Sequence, residues 1–234
     1  MKALRVLAVL VAVLVILLVI VDRVGVRVAE NEAAKKLQTS QNLSAKPKVT
    51  IEGFPFLTQA IARKLRSVRV QASDLAVQRS GRTVRITRLD AHLKNVTASS
   101  NLSSGTVQSG SGTAVISYPD LSSALGVSVG YAGPGSDGRG TVKATKSVSV
   151  LGNTISASVT ATVDVQGNTV TFGSPSVSAG GVSLPPGVSQ SLTGVFAKPI
   201  VLGTLPIGLR VQSVTATADG VTFVLTAHNV TIGS

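Results

Sequence analysis

The sequence predicts an α+β protein: a long curved antiparallel β-sheet wrapping a few helices, behind an N-terminal hydrophobic anchor. Three observations carry this. Apolar and Ser/Thr residues alternate over long stretches, most cleanly at Ile155, Ala157, Val159, Ala161, Val163 and Val165, the period of strands with one buried face. Helical spacing occurs only in short windows between turn residues. Val6 to Val21 is an unbroken apolar run of 16 residues, near the length needed to cross a bilayer.

The elements follow in order. Lys2 and Arg5 precede the apolar run and Asp22 and Arg23 follow it, as in an export signal. The nearest small-residue cleavage pattern, Arg27-Val28-Ala29, is poor, which favours an uncleaved signal anchor over a signal peptide at residues 1–23. Basic residues after the run outnumber those before it, which on charge alone argues for the opposite orientation. Residues 24–45 are rich in Ala, Glu, Lys, Leu and Gln and read as a helical stalk. The domain proper spans 46–234.

Within it, Val49-Thr50-Ile51 ends a strand and Gly53 permits a sharp turn. Pro55 allows a helix to start there but not before. Leu57, Ala60, Ile61 and Leu65 then share one helical face, with Arg63, Lys64, Arg66 and Arg69 beside it. Strands are expected at Val68–Ala72, Val84–Leu89, Leu93–Val107 and Thr113–Tyr118, with a turn at Ser80-Gly81. Pro119–Leu125 reads as a helix stopped by Gly126, and Gly133–Gly140 as a loop. Thr141–Val177 is the clearest β region, turning at Gln166-Gly167-Asn168. Leu184-Pro185-Pro186-Gly187 leads into a helix carrying Val188, Leu192, Val195 and Phe196, ended by Lys198-Pro199. A hairpin around Ala218-Asp219-Gly220 closes the chain.

Composition narrows the chemistry. With no Cys, thiolate catalysis, thiolate metal sites and disulfides are excluded. The acidic residues are scattered singly, so no metal or cofactor motif emerges. Gly126-Val127-Ser128-Val129-Gly130 fits the G-x-S-x-G pattern, with Asp137 and His228 following in hydrolase order. The elbow needs a helix after Ser128, and Tyr131-Ala132-Gly133-Pro134-Gly135 cannot form one. His92 and His228 read as isolated strand residues. Asn95 and Asn229 open Asn-x-Thr sequons, which carry little weight in a Ser/Thr-rich chain.

Charge is uneven: 15 of the 22 basic residues lie between Arg23 and Lys94. Next to a membrane such a block attracts anionic headgroups at about 1 kcal/mol per close basic residue. The export signal argues against nucleic acid as its partner. Two of only five Phe, Phe54 and Phe56, flank Pro55 inside this block.

The segment Ile51-Glu52-Gly53-Phe54-Pro55-Phe56-Leu57-Thr58-Gln59, its basic sequel and Val68-Arg69-Val70-Gln71-Ala72 resemble the start of the actinobacterial LmeA-like phospholipid-binding family. Leu205–Arg210 and Asp219-Gly220-Val221 are similar to that family's C-terminal pattern. The resemblance implies a cell-envelope protein akin to the tubular lipid-binding superfamily, facing the periplasm or extracytoplasmic space. It further implies an apolar lipid groove, phospholipid as ligand, and a role in maturation of mannosylated envelope lipids such as lipomannan. It brings no catalytic residues and no cofactor. On this basis Phe54, Phe56, Leu57, Ile61, Leu65 and Phe196 are expected to meet acyl chains or bilayer, and Arg63, Lys64, Arg66 and Arg69 anionic headgroups. Two alternatives stay open: a structural envelope protein with a dry core and, remotely, a serine hydrolase at Ser128.

Overall fold

The computed structural model describes residues 2–40, 43–79, 82–99, 104–135, 139–150, 153–179, 186–197, 199–201 and 208–232. The Ser80-Gly81 turn, Asp137, Leu184-Pro185, Lys198 and Leu205–Ile207 lie outside them.

Helix α1 (Lys2–Ser40) runs unbroken through the boundary expected at residue 23. Its apolar run is exposed along its length, and it is long and apolar enough to cross a membrane. Its second half behaves differently. Asp22, Val26 and Ala34 are buried, with Gly25, Ala29, Glu30, Leu37 and Gln38 half-buried between them. That 3.6-residue stripe packs on the body. Glu30 Oε1 accepts the Ile51 N–H of strand β1 (Lys48–Glu52) at 2.8 Å, satisfying a donor that an edge strand leaves open.

Helix α2 (Phe56–Ile61) is shorter than the expected stripe through Leu65 and begins one residue after Pro55. Arg63 takes a left-handed conformation, φ 53°, and strand β2 (Lys64–Arg79) starts directly after it. The reason is pairing: Lys64, Leu65 and, with Arg66 and Asp74 skipped, the residues from Ser67 to Arg79 have partners in β3 (Arg82–Ala98), and that ladder outweighs a short helix's local preference. The buried face of α2 is accordingly Phe56 and Gln59, not Leu57, Ala60, Ile61 and Leu65. The strands that follow are also longer than expected: β3 reaches Ala98, and β4 (Gly105–Ile116) absorbs the strand placed at Thr113.

Helix α3 (Tyr118–Leu125) forms as its signals require. The Ser117 side chain caps it, Pro119 lies in its first turn and Gly126 ends it in the left-handed region. Strands β5 (Ser128–Pro134), β6 (Gly140–Val150), β7 (Asn153–Gln166) and β8 (Thr169–Ser178) follow, then helix α4 (Pro186–Ala197), β9 (Ile200–Val201), β10 (Arg210–Thr217) and β11 (Gly220–Ile232).

The antiparallel α+β expectation holds, with the strands divided between two sheets. One has the order β1-β2-β3-β4-β11-β10, the other β5-β6-β7-β8-β9. Strand β10 packs across β6 and β7, and α3 bridges β3 and β5. Apolar inner faces form one continuous core; Ala91, Val107, Val142, Ala157 and Val159 are fully buried within it. Tyr118 ties α3 to the end of edge strand β10 by donating its hydroxyl to the Thr217 carbonyl at 2.6 Å. Burial pushes its phenol up to about 12.

A crease crosses the first sheet. The ladders skip Arg66 on β2, Asn95 on β3, Gln108 on β4 and Asn229 on β11, while the pairs on either side keep register. Asn95 and Asn229 have φ of 51° and 48°, a conformation Asn tolerates better than most residues. The inward side chains step by three instead of two at this height, from Leu65 to Val68 and from Leu93 to Val96. Two consecutive residues per strand therefore turn to the outer face.

Candidate functional site

The Phe-Pro-Phe turn is fastened to the foot of the anchor. Asp22, only 2% exposed, directly follows the apolar run. Its Oδ1 accepts the Leu57 N–H at 2.8 Å, so the free first-turn donors of α2 are met by a carboxylate from another helix. Its Oδ2 accepts from Arg23 at 2.9 Å, and the Arg23 guanidinium stands 5.1 Å from the centre of the Phe54 ring. Replacing Asp22 with Ala should unfasten the turn. In the full chain in detergent micelles, amide exchange at Phe56 and Leu57 should rise about tenfold or more. Unchanged protection there would show that Asp22 does not hold α2.

The ten residues expected to meet lipid separate into distinct groups. Phe54 is 55% exposed and Ile61 83%. Phe56 is buried, and Leu57 and Leu65 pack half-buried against the core. Phe196 lies in the second sheet's layer: it is buried, with its ring 4.6 Å from that of Phe172, on a helix packed over β6 to β8. Phe56 and Phe196 thus both belong to the buried core.

The four cations separate too. Arg69 is committed, its Nε and Nη2 donating to the two oxygens of Asp90 at 3.0 and 2.8 Å. Gln71 Nε2 donates to Asp90 Oδ2 at 3.0 Å. Arg63, Lys64 and Arg66 are exposed, and none forms an ion pair among the described residues. Gln59 ties Arg66 to α2: buried Gln59 accepts the Arg66 N–H through Oε1 at 2.9 Å and donates Nε2 to the Pro55 carbonyl at 3.3 Å.

His92 is not isolated. Its Nε2 lies 2.6 Å from Ser67 Oγ and 3.2 Å from Glu52 Oε2, and Ser67 donates to the same Glu52 oxygen at 2.8 Å. A nucleophilic relay would place the carboxylate on the ring nitrogen facing away from the serine. Here both partners share one nitrogen, so three strands are laced together without an activated hydroxyl. Period-two reading could have placed Ser67, Arg69, His92 and Lys94 on the outer face, but pairing Glu52 with Ser67 needs the register. Ser128 opens a strand, with no helix after it, which removes the elbow. Exposed His228 lies on β11, in the other sheet.

Hydrogen bonding and charge set the acid response of this face. The Arg69 guanidinium, with help from Gln71, holds the Asp90 carboxyl below the usual range, although burial opposes it. Bonds from Ser67 and then His92 do the same for Glu52. Both carboxylates therefore contribute stability that is present above their unfolded values of about 4 and is lost as pH falls through the lower folded values. Below pH about 4 the urea midpoint of the wild type should fall more steeply than that of Asp90→Asn. Parallel curves would contradict this.

Beside α2, the crease opens into a depression of about 510 Å³, lined among others by Lys64, Leu65, Arg66, Asn95, Gln108 and Asn229. Three of the sequence-expected residues thus meet there. The amides were not legible as a site, because only the strand register puts them in one row. Among the described residues no cluster of His, Asp and Glu is suited to hold a metal ion.

No curated protein and no solved structure shows a significant match to the chain. A family model does match, over residues 20–226, which takes in the end of the apolar run, the Phe-Pro-Phe turn and the first sheet up to Thr226 of β11, short of Asn229. The chain belongs to the LmeA-like phospholipid-binding family.

Proposed function

We propose that this protein is a non-catalytic phospholipid carrier of the cell envelope, held at the extracytoplasmic face of a membrane by α1. Residues 1–23 act as the anchor and 46–234 as the lipid-binding domain, with 24–45 joining them. It takes phospholipid, preferentially anionic, from the bilayer and serves the assembly of mannosylated envelope glycolipids. An apolar groove bounded by the inner sheet faces receives the acyl chains.

One observation carries this reading. Outside α1, the two most exposed large apolar side chains among the described residues, Phe54 and Ile61, flank a turn clamped by Asp22 to the end of the apolar run. A ring and an aliphatic chain held there lie at headgroup depth when the run spans the bilayer. Burying about ten methylenes of lipid would supply roughly 8 kcal/mol before ordering costs, at ~0.8 kcal/mol each, so binding needs no reactive group.

The test is mass spectrometry of lipids carried by the purified full chain, paired with extraction of labelled phospholipid from vesicles. Stoichiometric phospholipid and anion-dependent extraction are expected. A chain that carries none and extracts none from any headgroup series would favour the structural reading with a dry core.

A further inference from the structure

The crease repeats one chemical pattern on neighbouring strands. Asn95-Val96-Thr97 on β3 and Asn229-Val230-Thr231 on β11 are the same tripeptide; in both, the Val and Thr pair with Val107 and Thr106 of β4, and the Asn lies at the height of the skipped Gln108. In each triplet Val points inward, while the amide and the Thr lie on the outer side, partly or fully exposed. An ordinary half-exposed sheet needs no such repetition. We propose that the depression over these triplets binds a phosphate group, with Lys64 and Arg66 supplying charge and Asn95, Gln108 and Asn229 supplying neutral donors.

Charge, hydrogen bonding and space agree. The described lining contains no Asp or Glu. Arg69, further along β2, is neutralised by Asp90, so the unpaired positive charge at this end of the strand is that of Lys64 and Arg66. Asn95 Nδ2 donates to Gln108 Oε1 at 2.6 Å. That bond occupies the Gln108 oxygen and leaves its NH₂ group for an acceptor. The left-handed backbone at Asn95 and Asn229 brings extra side chains to the outer face and opens the depression. At about 510 Å³ it exceeds a bare phosphate, since one water occupies roughly 30 Å³, so the phosphate is received as an ester with its small substituent. Charge-assisted bonds to Lys and Arg then dominate affinity.

The ester has two sources: a lipid headgroup or a soluble phosphate ester. The lipid source rests on the phospholipid reading above and is favoured by position. Lys64 follows exposed Ile61 by three residues, and Arg66 is hydrogen-bonded to α2 through Gln59, so the depression opens beside the membrane-facing turn.

The experiment follows the side-chain amide resonances of Asn95, Gln108 and Asn229 in the full chain in zwitterionic detergent micelles. Probes are sn-glycerol 3-phosphate, uncharged glycerol, and phosphatidylglycerol added to the micelles. Saturable shifts with glycerol 3-phosphate and none with glycerol are expected. The Lys64→Gln, Arg66→Gln double variant should bind about tenfold or more weakly. Arg88→Gln, an exposed cation on the same sheet, should bind as wild type. Phosphatidylglycerol moving the same amides assigns the site to lipid headgroups; glycerol 3-phosphate alone moving them assigns it to soluble esters. Unmoved amides with both phosphate probes would overturn the site, as would a loss in Arg88→Gln equal to the double variant's. If phospholipid still co-purifies in that event, only the site fails. If glycerol 3-phosphate binds while no phospholipid co-purifies, the site stands and the carrier function falls.

Discussion

Replacing both Phe54 and Ile61 with Ser should slow phospholipid extraction from vesicles about a hundredfold while leaving thermal unfolding unchanged. The two halves of this expectation come from one fact. Phe54 is 55% and Ile61 83% exposed, so neither side chain contributes much apolar burial to the fold. Moving such a side chain from water into an apolar phase is worth about 1.5–3 kcal/mol when complete. Phe54 already lies partly covered beside Arg23, so about 3 kcal/mol for the pair is reasonable, or roughly a factor of a hundred. With the apolar run acting as the proposed anchor, the variant stays tethered, which makes extraction rate, and not membrane association, the sensitive measurement. The chain contains no Trp, so Phe54→Trp provides a single reporter. Its emission should shift to the blue on reconstitution into vesicles and be quenched by bromines placed near the headgroups. Emission typical of water in the reconstituted protein would sink the membrane-facing role of this turn, as would wild-type extraction by the double Ser variant.

What was legible beforehand depended on how local the cause was. Helix α3 was readable because its stop and start are side-chain events within a few residues: Pro119 at the start, Gly126 at the end. Strand β7 was readable because small apolar residues alternate without interruption from Ile155 to Val165. Helix α2 was misjudged because Leu65 lies at helical spacing from Ile61, while its actual partner is Val96, 31 positions away. A ladder formed at that distance leaves no local trace. Residue types alone likewise placed Arg69 among the headgroup cations, and only pairing with β3 shows that Asp90 occupies it. The crease did leave a trace: apolar residues spaced by three at Leu65–Val68 and Leu93–Val96 interrupt the period of two. Such a break in a single strand is ambiguous. It acquires meaning when the same break falls at one height on four paired strands.

Replacing Gly140 with Ala should destabilise the protein by about 3 kcal/mol, the upper range for forced overpacking, a large fraction of the roughly 5–15 kcal/mol that holds a domain folded. Gly140 begins β6 in the second sheet, next to the point where β10 of the first sheet crosses it. A Cβ there would stand 1.8 Å from the Ala216 carbonyl oxygen and 3.0 Å from the Tyr131 ring. The nearer atom is backbone, paired through β10 to β11, so it cannot swing aside as a side-chain tip would. Relief requires the sheets to separate where Val142, Ala161, Val214 and Ala216 are buried, and that exposes core. Gly130 provides the comparison. It lies on β5, the strand paired with β6, yet nothing lies within 4 Å of its added Cβ. Gly130→Ala should be neutral or stabilising by about 0.5 kcal/mol, because Ala loses less backbone entropy than Gly on folding. Urea unfolding of both variants in the same detergent micelles separates the two effects, since any general cost of Gly→Ala in a strand is common to both. Equal midpoints for Gly140→Ala and Gly130→Ala would mean that the sheets do not meet at this seam. A lower midpoint for Gly140→Ala alone would locate the contact there, where strand β10 ties the first sheet to the second one.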